Sequence, residues 1–85
     1  MNYVFLDVRE PEEYEASHVK DAINVPPMDL MQGAPQLNDV SKDTPIVLYC
    51  KTGSRSNVAM NYLRGLGFTN LINGINKDQV ESRYL

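Results

Sequence analysis

Apolar and polar positions along the chain fall into blocks that switch between a strand-like and a helix-like period. "YVFLDV" (residues 3–8) is a short apolar run rich in β-branched and aromatic residues, the composition of a strand buried on both faces. "REPEEYEASHV" follows, with Pro11 suited to a first helical turn and glutamates at 10, 12 and 13 that favour a helix N-terminus through its dipole. A short helix is expected there. "AINVP" predicts a second brief strand, stopped by Pro26 and Pro27. The Pro, Gly and Asp residues between 27 and 45 mark a connection with at most a turn or two of helix around Leu30 and Leu37. "PIVLYC" predicts a third strand. "SNVAMNYLRGLG" predicts a second full helix beginning near Ser56, with Val58, Tyr62 and Leu66 along one stripe and Gly65 or Gly67 as the stop. "TNLIN" predicts a fourth strand, and the remainder leaves room for a terminal helix.

Strands separated by helices imply an α/β fold. The expected architecture is a mainly parallel sheet of about four to five short strands, with right-handed crossovers and helices on both faces. With 85 residues the chain is expected to form one small domain, 1–85, with a single core and no separate substrate domain. A hydrophobic fraction of 42% beside a charged fraction of 22% is that of an ordinary globular chain, which argues against disorder. One Cys permits no internal disulfide, so the fold rests on packing and the thiol is free unless it pairs between chains; a monomer is expected. No run approaches the roughly 18 apolar residues of a membrane span, and "MNYVFLDVRE" lacks the basic start and long apolar core of a signal peptide. No membrane association is expected. The compartment stays open: periplasm if a signal was removed before Asn2, cytoplasm otherwise.

The net charge of -3 hides an asymmetry. Before Lys42 there are eight acidic residues (Asp7, Glu10, Glu12, Glu13, Glu15, Asp21, Asp29 and Asp39) against Arg9 and Lys20; from Lys42 onward there are six basic and three acidic. A solvated acidic helix face accounts for the first half. The basic residues are scattered, with no aromatics interleaved, which argues against a nucleic-acid partner.

The thiol lies in the positive half. The third strand puts Cys50 at its C-terminal end, with a five-residue loop before the helix. In open α/β sheets ligands bind at the carboxyl ends of strands, and a helix start offers unpaired N–H groups and positive potential. That geometry lowers a thiol pKa below the free value of about 8.5, and Lys51 and Arg55 are expected to add to the effect. Gly53 lets the loop curl so that successive N–H groups converge on one point. A lone Cys at the end of an apolar strand is usually an inert core residue. A core cysteine does not explain the polar, glycine-containing, doubly basic loop that follows it.

"FLDVREPEEYEASHVKDAINVP" together with "VLYCKTGSRS" resembles the single-domain rhodanese family. The shared pieces are an Asp-x-Arg entry strand, a His-Val and Ala-x-Asn-Val-Pro segment and a Cys-x-x-Gly-x-Arg-Ser loop, in that order. The compact length and "LINGINKDQ" make the chain most similar to phage-shock-protein-E-like sulfurtransferases. The resemblance implies a double displacement: Cys50 attacks the outer sulfur of thiosulfate, releases sulfite, and carries a persulfide to cyanide or a cellular thiol. It also implies that Lys51, Thr52, Gly53, Ser54 and Arg55 cradle the persulfide through their main-chain N–H groups. Lys51 and Arg55 would help draw in the dianion. Asp7 and Arg9 are implied to be a structural pair beside the site, and His18 a structural residue. No metal or other cofactor is implied, since Cys50 and the single His18 make no plausible ligand set.

Three departures from the family pattern stand out. Asn73-Gly74-Ile75 replaces a Gly-Gly followed by Trp; Glu13 stands where some larger sulfurtransferases carry a basic substrate-binding residue; and the short stretch from Pro27 to Lys42 leaves a shallow, open pocket. Two other classes compete with a sulfurtransferase. A cysteine phosphatase or arsenate reductase would use a similar thiolate loop, but with five residues between Cys and Arg rather than the four between Cys50 and Arg55. A non-catalytic rhodanese-like binding module would commonly lack the cysteine.

Overall fold

The period-2 alternation of one fully buried strand divides the molecule into layers. In the computed structural model, which describes residues 2–85, Ile46, Leu48 and Cys50 pack into one apolar cluster, while Val47 and Tyr49 pack into another. These residues form β3 (Ile46–Cys50). The other elements are β1 (Val4–Asp7), α1 (Pro11–Ala16), β2 (Ile23–Asn24), α2 (Pro27–Met31), a 3-10 turn (Pro35–Leu37), α3 (Ser54–Gly65), β4 (Leu71–Asn76) and α4 (Lys77–Tyr84). The four strands pair in the order β2-β1-β3-β4, all parallel. This is the expected α/β architecture, with Met1 outside the described residues.

Leu30 of α2, Leu37, and Ala59, Met60 and Leu63 of α3 cover one face of the sheet together with Leu6, Val8 and Val25. On the other face Val80 of α4 joins Val19, Ala22 and Tyr49, flanked by Tyr14 and Tyr84. Helices therefore shield both sides, as a parallel sheet requires. From β1 the chain steps outward to β2, whereas β3 lies on β1's other side. The carboxyl ends of β1 and β3 thus border the crevice where strand order reverses.

Helix α3 departs from expectation in two respects. It starts at Ser54 rather than near Ser56, because Gly53 adopts a left-handed φ of 94° at the N-cap and turns the chain into the helix after only three loop residues. Its buried side runs through Ser56, Ala59, Met60 and Leu63, while Val58, Tyr62 and Leu66 are 55%, 43% and 36% exposed. A buried serine interrupts the true stripe, so the apolar periodicity points to the wrong side. The stop is glycine as expected: Gly67 N donates to Arg64 O at 3.0 Å and Phe68 N to Leu63 O at 3.0 Å, a Schellman ending with Phe68 packed beside Leu63.

Strand β4 carries a bulge. Leu48 pairs with Asn73 but Tyr49 with Ile75, so Gly74 is the extra residue. A Cβ at Gly74 would lie 2.5 Å from Val80 Cγ2 and 2.8 Å from Val47 Cγ1, which admits only glycine. Ile75 then takes a φ of 76°, an outlier for a β-branched residue. Its N–H is held by Asn73 Oδ1 at 3.0 Å.

Candidate active site

Cys50 is the last residue of β3 and is 2% exposed. Its Sγ accepts from Gly53 N at 3.1 Å and Ser56 N at 3.4 Å, and lies 3.6 Å from Ser56 Oγ. Gly53, the N-cap, has no side chain to satisfy the first turn, and the Cys50 sulfur takes that place. The first bond from helix interior to cap is Asn57 N to Gly53 O at 3.0 Å. The N–H groups of Ser54, Arg55 and Ser56 are therefore the donors that the helix leaves at this end. Burial alone would push the thiol up, but the Ser56 hydroxyl and the main-chain N–H groups of Ser56, Gly53 and Thr52 reverse that, bringing it from 9.0 down to about 7. A substantial thiolate fraction at neutral pH follows.

The loop is braced from β4. Ser56 Oγ donates to Asn73 Oδ1 at 2.6 Å and lies 3.1 Å from Gly53 O, and Asn73 Nδ2 donates to Gly53 O at 3.0 Å. The Gly74 bulge sets Asn73 facing the loop, so the segment that departs from the family pattern is the clamp on the loop around Cys50.

Arg55, half-buried at the second position of α3, does not turn its guanidinium to the sulfur. It forms a bidentate pair with Glu13 of α1, Nη1 to Oε1 at 2.7 Å and Nη2 to Oε2 at 3.1 Å. Arg55 first, with the Glu10 N–H also contributing, pulls the Glu13 carboxyl from 4.5 to about 2, against a lesser opposing effect of burial. Lys51, Thr52 and Ser54 are exposed on the loop and first turn, where the Thr52 and Ser54 hydroxyls lie 3.1 Å apart. Beside Ser54 opens a cleft of about 300 Å³ lined by Val8, Pro27, Leu30, Met31, Val58 and Tyr62 together with Ser54 and Arg55. Val58 and Tyr62 of the exposed stripe of α3 thus form a wall of this cleft.

Asp7 and Arg9 belong to a different network. Tyr49, on the sheet face opposite Cys50, donates its hydroxyl to Asp7 Oδ2 at 2.7 Å. Arg9 bonds the same carboxylate through Nε and Nη2, and reaches Ser17 O at 2.6 Å. Val19 N donates to the Tyr49 hydroxyl at 3.0 Å, and burial, together with the bond to Asp7, raises that phenol's pKa. The whole unit ties β1, β3 and the chain after α1 together. His18 stacks on Tyr14 at 3.7 Å between ring centroids and bonds Tyr14 O through Nδ1 at 2.8 Å.

A thiolate capped by main-chain donors at a strand end is a chemistry shared by several enzyme classes, and comparison with known proteins gives the family. The Rhodanese-like domain family matches residues 1–79. The chain belongs to the rhodanese-like family. Among curated relatives it is 40% identical over 68 residues to the uncharacterized protein YqhL of Bacillus subtilis, covering 80% of this chain and 52% of that one. It is 38% identical over 71 residues to the tRNA sulfurtransferase of Shewanella halifaxensis, covering 82% and 15%. To the thiosulfate sulfurtransferase PspE of Escherichia coli it is 34% identical over 73 residues, covering 81% and 65%. The chain therefore spans between about a seventh and two thirds of the length of these relatives. A solved rhodanese with anions from E. coli superposes with a TM-score of 0.79 at 28% identity, over 92% of this chain and 91% of that one.

Within this rhodanese-like domain the structure draws Cys50, Gly53 and Ser56 together and leaves the Asp7–Arg9 pair on the far face. Three residues gain contacts that sequence reasoning did not assign: Ser56 on the sulfur, Asn73 on Ser56 and Gly53, and Glu13 on Arg55. The available signal was Gly53. A helix begun directly after it places Ser56 at the third helical position, where N–H and side chain both face the cap.

Proposed function

We propose that the chain is a sulfurtransferase that moves sulfane sulfur from thiosulfate to cyanide or a thiol acceptor through a persulfide on Cys50. The observation that supports this most strongly is the buried sulfur held at 3.1 and 3.4 Å by the Gly53 and Ser56 N–H groups. The thiolate attacks the outer sulfur of thiosulfate; the S–S bond of thiosulfate breaks, and its electron pair leaves with sulfite. The acceptor then attacks the outer sulfur of the persulfide, and the pair of the cleaved S–S bond returns to Cys50. The unpaired N–H groups at the start of α3 stabilise the negative charge on the outer sulfur between the two steps. The short loop also supports this reading over phosphate chemistry, because its donors close on a single sulfur atom.

The test is thiocyanate formation from thiosulfate and cyanide. Wild type should form it catalytically, Cys50→Ser should form none while retaining its fold, and an aryl phosphate should be a poor substrate. Efficient phosphate hydrolysis with no thiocyanate would place the chain in the phosphatase class instead.

A further inference from the structure

Ser56 has one hydroxyl hydrogen and three acceptors around it: Asn73 Oδ1 at 2.6 Å, Gly53 O at 3.1 Å and Cys50 Sγ at 3.6 Å. Only the sulfur changes its charge during turnover. Neither of the other two depends on Ser56 alone, since Asn73 Oδ1 also accepts from Ile75 N at 3.0 Å and Gly53 O also accepts from Asn73 Nδ2 at 3.0 Å. The hydroxyl can leave either acceptor without creating a buried unsatisfied oxygen. Ser56 is itself fully buried, so water does not compete for the position.

We propose that the Ser56 hydroxyl is a switching donor that assists Cys50 as a leaving group, resting on Asn73 while the sulfur is neutral and turning to Sγ when it becomes a thiolate. This rests on the persulfide reading above. In the persulfide Sγ is a neutral bridging atom and a weak acceptor, so the hydroxyl lies on Asn73. During discharge the acceptor's lone pair forms a bond to the outer sulfur, the S–S bond breaks, and its electron pair passes to Sγ. The hydroxyl meets that charge as it develops. During loading the charge instead leaves Sγ. The same hydrogen bond then increases the thiolate fraction but lowers its nucleophilicity, and the two effects oppose each other. Ser56 should therefore matter far more for discharge than for loading. Asn73 is the positioning residue that holds the hydroxyl within reach of both states.

The test separates the half-reactions in single turnovers of the full chain, at a pH above the alkylation midpoint of every variant. Sulfur uptake from thiosulfate is followed by intact mass, and discharge by thiocyanate release on adding cyanide. Ser56→Ala should slow discharge by about tenfold or more while changing loading by less than about threefold, and Ser56→Thr should restore discharge. Ser56→Ala keeps the main-chain N–H on Sγ and leaves Asn73 bonded to Ile75 N and Gly53 O, and Ser56→Gly, which also removes the hydroxyl, should show the same asymmetry. Discharge at the wild-type rate in both truncations overturns the inference, as does an equal slowing of both halves. Failure of the wild type to take up sulfur would show in the loading step and would overturn the persulfide reading itself, before Ser56 is at issue.

Discussion

Glu13 holds Arg55 by both guanidinium nitrogens, at 2.7 and 3.1 Å, and its Oε1 also receives the Glu10 N–H at 3.0 Å. One carboxylate thus caps α1 and pins the first turn of α3, 42 residues further along. The side chains are 36% and 31% exposed, so the pair contributes no more than about 1 kcal/mol to stability. Because the carboxyl pKa is lowered, that contribution is present above the ordinary value of 4.5 and is lost as pH falls towards about 2. Its larger consequence is electrostatic. The cation in the first turn of α3 is already neutralised, so an anion approaching the Cys50 loop meets less attraction than the sequence suggests.

Glu13→Gln should release part of that positive charge. Thiosulfate should then bind more tightly, with KM falling about threefold or more, and the gain should shrink as salt is added. Steady-state kinetics at two ionic strengths would check this. An unchanged KM would mean that Arg55 has no part in drawing in the donor.

The thiol midpoint near 7 sets the pH profile. Alkylation of Cys50 should rise about tenfold per pH unit below that midpoint and level off above it. Since the folded pKa lies below the unfolded value of 9.0, stability from this group is full above pH 9 and is lost as pH falls through about 7. Urea melts at pH 7 and pH 9 should show the difference for wild type and not for Cys50→Ser. An alkylation midpoint at the ordinary thiol value would contradict the cap of N–H and hydroxyl donors.

Gly74→Ala should destabilise the chain by about 3 kcal/mol or more, because its Cβ overlaps Val80 and Val47 at 2.5 and 2.8 Å and a packed core cannot yield that far. The bulge also aims Asn73 at the loop, so any folded fraction should have lost sulfurtransferase activity as well. Thermal melting together with specific activity would check both effects.

A single small residue inserted between Gly53 and Ser54 should move the helix donors away from Sγ, which Gly53 N and Ser56 N now approach at 3.1 and 3.4 Å. Displacement by about 1 Å can cost roughly a hundredfold in rate, so thiosulfate turnover should collapse while the melting temperature changes little. Retained turnover would show that the loop length is not what sizes the cradle.

Much of the fold is legible in the chain because the strands are unmistakable: "IVLYC" is buried throughout, "VFLD" is an apolar run ending in two buried residues, and each is followed by a helix signal. The placement of Cys50 is legible for the same reason, since a polar glycine loop directly after a buried strand sets the thiol at the start of a helix, where N–H groups of Gly53 and Ser56 reach it. The buried side of α3 is not. Ser56 carries a satisfied hydroxyl into the core, and no apolar periodicity can reveal a polar residue whose partners, Asn73 and Gly53, come from elsewhere in the chain. The bulge at Gly74 is hidden too, because a glycine within a strand pattern is equally consistent with a turn until Val47 and Val80 close around it. The Glu13–Arg55 pair joins residues that read locally as solvated charges, and only the folded chain brings a carboxylate of α1 within 2.7 Å of a guanidinium in the first turn of α3.

The most direct measurement is the intact mass of the protein after incubation with thiosulfate and removal of excess donor. A persulfide on Cys50 predicts a gain of one sulfur atom, its loss on adding cyanide with matching thiocyanate, and no gain in Cys50→Ser. An unchanged wild-type mass under conditions where the thiol is shown to be free and alkylatable would contradict the sulfur-transfer mechanism.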